Sequence, residues 1–202
     1  MLSQLLLPIS NAVLTSFAAD LGEATVATFG VGTRIESLAM IGYLAFSPVL
    51  LSFIGQNYGA GKNDRIIQAN RFSIRFAIVW GVTSWGVLAL LSGTIAWAFA
   101  DDSFIKGLIQ QFFWIVPFGF AFHGITQLIS ASCNALHRPF NSTAINIMRL
   151  FLILIPLVYL GSYLWNTAGF FFGIAAGNFV TGVIAWLWYR SSIIHFISDQ
   201  KI

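Results

Sequence analysis

The sequence has very little charge. Lys, Arg, Asp and Glu together make up 8% of its 202 residues, whereas 57% of the residues are hydrophobic and the mean hydropathy is +0.81. A soluble globular domain carries about 25% charged residues. A chain with so few charges cannot keep its surface in water, so that surface must face lipid. The scarcity of charge therefore excludes an ordinary soluble domain and predicts an integral membrane protein.

Cysteine is almost absent, and basic residues are missing from the start of the chain. The one cysteine, Cys133, excludes an internal disulfide and a metal site made of several thiolates. Residues 1–19 contain no Lys or Arg, so they lack the basic opening of a signal peptide. The chain starts within an apolar stretch instead, as expected of a segment of a larger protein. The net charge is +3, and the basic residues are spread between the apolar stretches rather than clustered, so the sequence does not indicate a nucleic-acid partner.

Long apolar runs are what the sequence has in abundance. A membrane-spanning helix needs about 20 to 25 residues, so this chain has room for six or seven spans and for no further soluble domain. Helices satisfy their own backbone in lipid, and the strict alternation of barrel strands is missing. We therefore predict an all-α membrane protein with six transmembrane helices over residues 1–190 and a cytoplasmic tail at 191–202. The predicted spans are residues 1–19, 25–54, 72–100, 104–133, 143–164 and 169–189. Kinks are expected at the prolines inside spans, which are Pro8, Pro48, Pro117 and Pro156.

The basic residues mark one side of the membrane. Eight of the ten are assigned to one set of span ends, whereas Arg34 and Lys106 fall toward the other. Cytoplasmic loops are enriched in Lys and Arg, which predicts that both termini are cytoplasmic. The eight are Lys62, Arg65, Arg71, Arg75, Arg138, Arg149, Arg190 and Lys201. We expect a multi-pass protein of a bacterial inner (plasma) membrane.

A glycine-rich run, GQNYGAGK at residues 55–62, follows the second span. It lacks the first glycine and the Ser or Thr of a phosphate-binding loop, so a nucleotide site is rejected. Together with RIES at residues 34–37, this run resembles the second helix of a lobe of the multidrug and toxic compound extrusion (MATE) transporters. The run NALHRP at residues 134–139, with Arg149 and Pro156, resembles the connection after the fourth helix and the fifth helix of that lobe.

The resemblance implies one lobe of a transporter, the C-terminal one. A full member of the family has twelve helices in two parallel lobes, with substrate held between the halves. The chain is thus expected to be half of a multidrug efflux antiporter without a cofactor, coupled to H⁺ or Na⁺. Its expected partners are the lipid bilayer, a small organic substrate, and an N-terminal lobe or a second copy of itself. The first and fourth spans lack the acidic residues that many members carry there, so the sequence predicts no sodium site made of carboxylates.

Polar residues within the spans are the candidates for the substrate site, because such residues are costly in lipid. Arg34 and Glu36 lie in the second span, and at a spacing of two they point to different faces. His123, Gln127 and Asn134 follow spacings of four and seven, so they share one face of the fourth span. The predicted cavity-lining residues are Asn11, Arg34, Glu36, His123, Gln127, Asn134 and Asn178. Each of these residues is also open to a structural role as a hydrogen-bonding contact between helices.

Other functions remain open at this stage. A lipid-linked oligosaccharide flippase shares the architecture, but it requires several basic residues facing the cavity, and only Arg34 is placed well inside a span. A fragment without an N-terminal lobe would be inactive. An intramembrane enzyme that uses His123 or His137 as a base is not supported, because no paired histidine, carboxylate cluster or nucleophile accompanies them.

Overall fold

The computed structural model describes residues 2–193, and it describes side chains from residue 8 to residue 191. Met1 and residues 194–202, which hold most of the predicted tail, lie outside the described residues. No strand occurs within residues 2–193. The α-helices are α1 (Leu2–Asp20), α2 (Glu23–Ala39), α3 (Ile41–Gly59), α4 (Asn63–Phe99), α5 (Ser103–Ile115), α6 (Phe120–Ala135), α7 (Pro139–Ile147) and α8 (Ile155–Trp188).

Several of these helices are suited to cross a membrane. Three helical stretches are long and apolar enough to do so on their own, namely Asn63–Phe99, Ser103–Ala135 and Pro139–Ser191. A fourth is the pair α2 and α3, which meets the same criterion when the two are taken together across a bend of 41°. The chain is therefore an integral membrane protein with multiple spans.

The longest helical stretch folds back on itself within α8. Trp165 and Asn166 leave helical geometry, and Asn166 has a φ of 49°, so α8 consists of two arms, 155–164 and 167–188. Facing pairs across this hairpin are Gly161 with Gly169, Val158 with Gly173, and Leu154 with Gly177. The partners lie progressively farther from the turn on both arms, so the arms are antiparallel. The described chain thus forms six helical rods, as predicted. In chain order they are α1, α2 with α3, α4, α5 with α6, α7 with the first arm of α8, and the second arm of α8.

Only some of the breaks within the rods lie next to a proline. A 3₁₀ turn at Val116–Gly119 joins α5 to α6 and contains Pro117, which has no N–H for an α-helical bond. A π-helical segment at Met148–Leu154 joins α7 to α8 just before Pro156. The bend between α2 and α3 lies at Met40, whereas α3 continues as a helix through Pro48. The expected kink in the second span is therefore displaced from its proline.

The apolar core has two parts, which draw on opposite ends of the rods. One part is rich in phenylalanine, and the rings of Phe112 and Phe171 meet edge to face with centroids 5.2 Å apart. The other surrounds Tyr43, whose hydroxyl lies 2.9 Å from the carbonyl oxygen of Ala77 and is 1% exposed. Between the two parts the packing opens into polar cavities.

Large apolar side chains cover the outside of the rods. Leu90 is 85% exposed and Trp97 is 76% exposed, and both lie on α4. Water would penalise such a surface by about 25 cal/mol for each Å² of apolar area, whereas lipid tails do not. The exposed surface of the rods therefore suits a lipid environment.

Candidate functional site

The first cavity has a volume of about 280 Å³ and lies between the two parts of the core. Five of the seven predicted residues line it, and they come from α1, α2, α6 and the second arm of α8. These five are Asn11, Glu36, His123, Gln127 and Asn178. Four helical rods thus bring together polar side chains that are far apart in the sequence.

Arg149, in the π-helical segment, is at the centre of the polar contacts in this cavity. Its Nη2 donates to Oδ1 of Asn178 at 3.1 Å. Its Nη1 and Nη2 lie 3.4 and 3.3 Å from the Nε2 and Nδ1 of His123, so the guanidinium runs alongside the imidazole. A neutral imidazole has one nitrogen that can accept a hydrogen bond, so one of these two contacts is a bond at a time. Arg149 therefore joins the fourth, fifth and sixth rods.

The prediction that Arg149 marks the cytoplasmic boundary is wrong. Its guanidinium contacts His123 and Asn178 inside the lobe and lines the first cavity. The π-helical segment that carries it has a wider turn than an α-helix, and such segments are frequent at functional sites. The sequence did contain a signal for this position, because Arg149 is a charged residue within the apolar run that leads to Pro156. The prediction placed Arg149 at the end of its span instead of inside the lobe.

Arg34 does not join the other predicted residues. It is exposed on α2, and it is not among the residues that line the first cavity, whereas Glu36 is. Two residues correspond to about 200° of rotation around a helix with 3.6 residues per turn, so the two side chains diverge. Among the described residues that line the first cavity, the one Lys or Arg is therefore Arg149 and not Arg34.

A second cavity, of about 380 Å³, adjoins the first. Gln127 and Arg149 line both cavities, and Asn134, the remaining predicted residue, lines the second. Ser47 of α3 and Ser130 of α6 also line it, and the sequence offered no signal that set them apart from other serines. The polar face predicted on the fourth span therefore serves two adjoining cavities.

Acidic residues are scarce in both cavities. Among the described residues, Glu36 is the one carboxylate that lines either of them. No group of three or more His, Cys, Asp or Glu side chains comes together as a metal site in the part of the chain that the structure describes. The described functional groups that line the two cavities are thus one carboxylate, one guanidinium, one imidazole and several amides and hydroxyls.

Comparisons with known proteins agree with this architecture. The MatE family model matches residues 1–160. A curated protein of Shewanella oneidensis named FAD transporter is 33% identical over 185 residues, which is 92% of this chain and 41% of that protein. The crystal structure of the Vibrio cholerae MATE transporter VcmN in its bent form superposes with a TM-score of 0.92 at 29% identity, over 98% of this chain and 45% of that one. An outward-facing multidrug resistance MATE family transporter has the same fold, with a TM-score of 0.92 at 23% identity.

The chain spans less than half the length of these relatives, in agreement with a six-helix lobe. The match to the family model covers most of the chain, and 98% of this chain superposes on a solved transporter. This chain therefore belongs to the MatE family of membrane transporters.

Proposed function

We propose that this chain is the C-terminal half of an efflux antiporter, and that its first cavity is where solute export and ion coupling meet. The observation that carries the proposal is the cluster of Glu36, His123 and Arg149 in one cavity inside a lipid-facing lobe. Ionisable residues within a membrane are costly and are mostly found along substrate and ion pathways. Packing of the helices does not require three ionisable groups in one cavity, whereas transport of a solute and an ion does.

We further propose that Glu36 is the coupling group and that the coupling ion is H⁺. Hard cations are held by several oxygen ligands, often more than one of them a carboxylate, and Glu36 is the one acid in this cavity. One carboxylate is sufficient to take up and release a proton. An antiporter of this kind would export multiple organic compounds, in line with the multidrug activity of the family.

Replacing Glu36 with Gln is expected to abolish the dependence of efflux on a proton gradient. Glutamine keeps the size and hydrogen-bonding capacity of the side chain but cannot change its charge. Coupling between two ligands is typically about 5- to 150-fold, so we expect the gradient-driven rate to fall by about tenfold or more. The measurement is ethidium efflux from proteoliposomes that contain the full protein, with and without an imposed pH gradient.

The matched control is Glu23→Gln, because Glu23 is an exposed carboxylate in the first turn of the same helix, α2. We expect this variant to retain wild-type efflux. Equal losses in both variants, or full gradient-driven efflux in Glu36→Gln, would remove Glu36 from the coupling step.

A flavin dinucleotide is a second candidate substrate. It is favoured by the curated relative named FAD transporter and by the guanidinium of Arg149 in the cavity. FAD contains a pyrophosphate, and guanidinium groups bind such oxygens with short, charge-assisted hydrogen bonds. The same guanidinium weakens the earlier argument against a lipid-linked oligosaccharide flippase, whose substrate also carries pyrophosphate. Efflux of FAD in the same proteoliposomes, followed by flavin fluorescence, separates the dinucleotide from organic cations.

A further inference from the structure

A groove of about 550 Å³ lies between α3 and α4, and it shares no described lining residue with the two polar cavities. On the side of α3 it is lined by Phe46, Val49, Leu50 and Phe53. Their spacings of three and four residues place these side chains on one face of the helix, where they form an apolar stripe that we call the α3 stripe. The groove therefore offers apolar contact along the whole of one wall.

The groove is polar at one end and apolar at the other. The two helices are joined by a turn of three residues and are antiparallel, so residues at equal distances from the turn lie side by side. The rings of Phe46 and Phe76 agree with this register, because they stack with centroids 4.7 Å apart. On the wall formed by α4, Arg65 and Gln68 lie close to the turn, whereas Phe72 lies farther from it. The lining thus changes from polar to apolar with distance from the turn.

The polar end of the groove is basic. Arg65 is exposed there, and the described lining of the groove contains no carboxylate. The neighbouring acid, Asp64, is not among the lining residues. Residues 62–75 contain four basic residues and one acidic residue, and all five are exposed. An anionic group is therefore attracted to this end of the groove.

The apolar part of the groove is open along the outer surface of the lobe. Val49 is 63% exposed and Phe72 is 60% exposed, and they lie on opposite walls. Seven residues of helix separate Phe46 from Phe53, which is a rise of about 10 Å. An extended hydrocarbon chain can enter such a groove sideways from the membrane and lie along the α3 stripe.

We infer that the groove between α3 and α4 binds a phospholipid with a net negative headgroup, with its phosphate at Arg65 and Gln68 and an acyl chain along the α3 stripe. A membrane supplies amphiphiles with this order of charge and chain. The planar guanidinium of Arg65 is suited to two phosphate oxygens, and the Gln68 amide adds a neutral donor. The ammonium of a zwitterionic headgroup would meet the basic residues at this end, so we expect an anionic lipid to be preferred. This site is distinct from the proposed transport site and does not depend on it.

The experiment compares lipids that differ in their headgroup alone. The full chain is purified in dodecyl maltoside, and native mass spectrometry measures the retention of phosphatidylglycerol, of phosphatidylethanolamine and of a phosphate-free galactolipid, all with the same acyl chains. A basic residue near a membrane surface changes the binding of anionic lipid by about fivefold. We therefore expect the wild type to retain phosphatidylglycerol about fivefold or more above the other two lipids.

Arg65→Gln should weaken the retention of phosphatidylglycerol by about fivefold and leave the galactolipid unchanged. Arg71→Gln is the matched control, because it removes the same charge from an exposed position on α4 that does not line the groove. We expect this control to stay within about twofold of the wild type. Thermal melting of each variant shows whether the lobe is still folded.

A second pair of variants tests the apolar part of the site. Val49→Trp fills the groove with a larger side chain, so it should lower the retention of phosphatidylglycerol to that of Arg65→Gln. Val79→Trp is its control, because Val79 is 67% exposed on α4 and does not line the groove. We expect Val79→Trp to retain the lipid as the wild type does.

Three results would overturn the inference. The first is equal retention of the three lipids by the wild type, and the second is an equal loss in Arg65→Gln and Arg71→Gln. The third is a dimer that Val49→Trp dissociates while retention of phosphatidylglycerol is unchanged, which would assign the groove to a second copy of the chain. Gradient-driven efflux that depends on Glu36 would survive each of these results, so the two proposals fail separately.

Discussion

Replacing Arg149 with Met is expected to slow efflux by about ten- to a hundredfold, whereas Arg34→Met stays within about twofold of the wild type. The guanidinium of Arg149 bonds Asn178 and runs alongside His123, and it is the one cation among the described residues that line either cavity. Hydrogen bonds to charged groups contribute about 1.5 to 3 kcal/mol each, and 1.4 kcal/mol is tenfold in an equilibrium constant. Arg34 is exposed on α2, so its loss leaves both cavities as they are.

The measurement is the initial rate of efflux, with ethidium and with FAD as probes, in proteoliposomes matched for protein content. Arg149→Lys is expected to be intermediate, because lysine keeps the charge but not the planar fork that contacts two partners. Thermal melting of each variant in detergent shows whether the lobe is still folded. An Arg34→Met rate as low as that of Arg149→Met would restore the original prediction for Arg34 and contradict the assignment of Arg149.

Gly81→Ala and Gly86→Ala, two identical changes on α4, are expected to have opposite effects on stability. A Cβ at Gly81 would overlap the backbone of Ala121 on α6 and lie 2.7 Å from its Cβ, whereas a Cβ at Gly86 meets nothing within 4 Å. Alanine is favoured over glycine within a helix by about 0.5 to 1 kcal/mol, so Gly86→Ala should be neutral or stabilising. Overpacking costs about 1 to 3 kcal/mol, so Gly81→Ala should be destabilising.

Thermal unfolding in detergent, followed by circular dichroism and by the monodisperse fraction on size exclusion, measures both variants. Gly81→Ala should melt at a lower temperature than the wild type and yield less monodisperse protein. If both variants melt at or above the wild-type temperature, α4 and α6 do not approach each other at Gly81 as closely as described.

The six helical rods were predictable because the physical signal behind them is strong. Lipid forces each apolar run to satisfy its own backbone, so hydropathy alone marks the rods. The turn near Trp165 was visible as a short polar interruption, and Asn166 there adopts a positive φ. The bend at Met40 was not visible, because no proline or glycine occupies that position.

The candidate site was predictable on the helix with regular geometry. The spacing of His123, Gln127 and Asn134 placed them on one face, and the structure agrees. They are spread over eleven residues of helix, a rise of about 16 Å, and they divide between two cavities. His123 lines the first cavity, Asn134 the second, and Gln127 both.

The depth of a charged residue was the least predictable property. Arg149 follows a connection rich in polar residues, so charge counting assigned it to the membrane boundary. It lies in the π-helical segment at Met148–Leu154, next to a hairpin in which glycines allow close approach of the two arms of α8. Neither feature has a signature in hydropathy. The rotation of Arg34 away from the cavity similarly depends on which face of α2 packs against its neighbours.

Cysteine labelling from water tests the central claim, that a polar, hydrated cavity lies inside a lobe whose apolar surface faces lipid. In a Cys133→Ala background, Gln127→Cys places a thiol where the two cavities meet, and Leu90→Cys places one on α4 at a position that is 85% exposed. With a membrane-impermeant methanethiosulfonate in proteoliposomes, the expected result is rapid modification at residue 127 and none at residue 90. Modification at residue 90 with protection at residue 127 would contradict the claim.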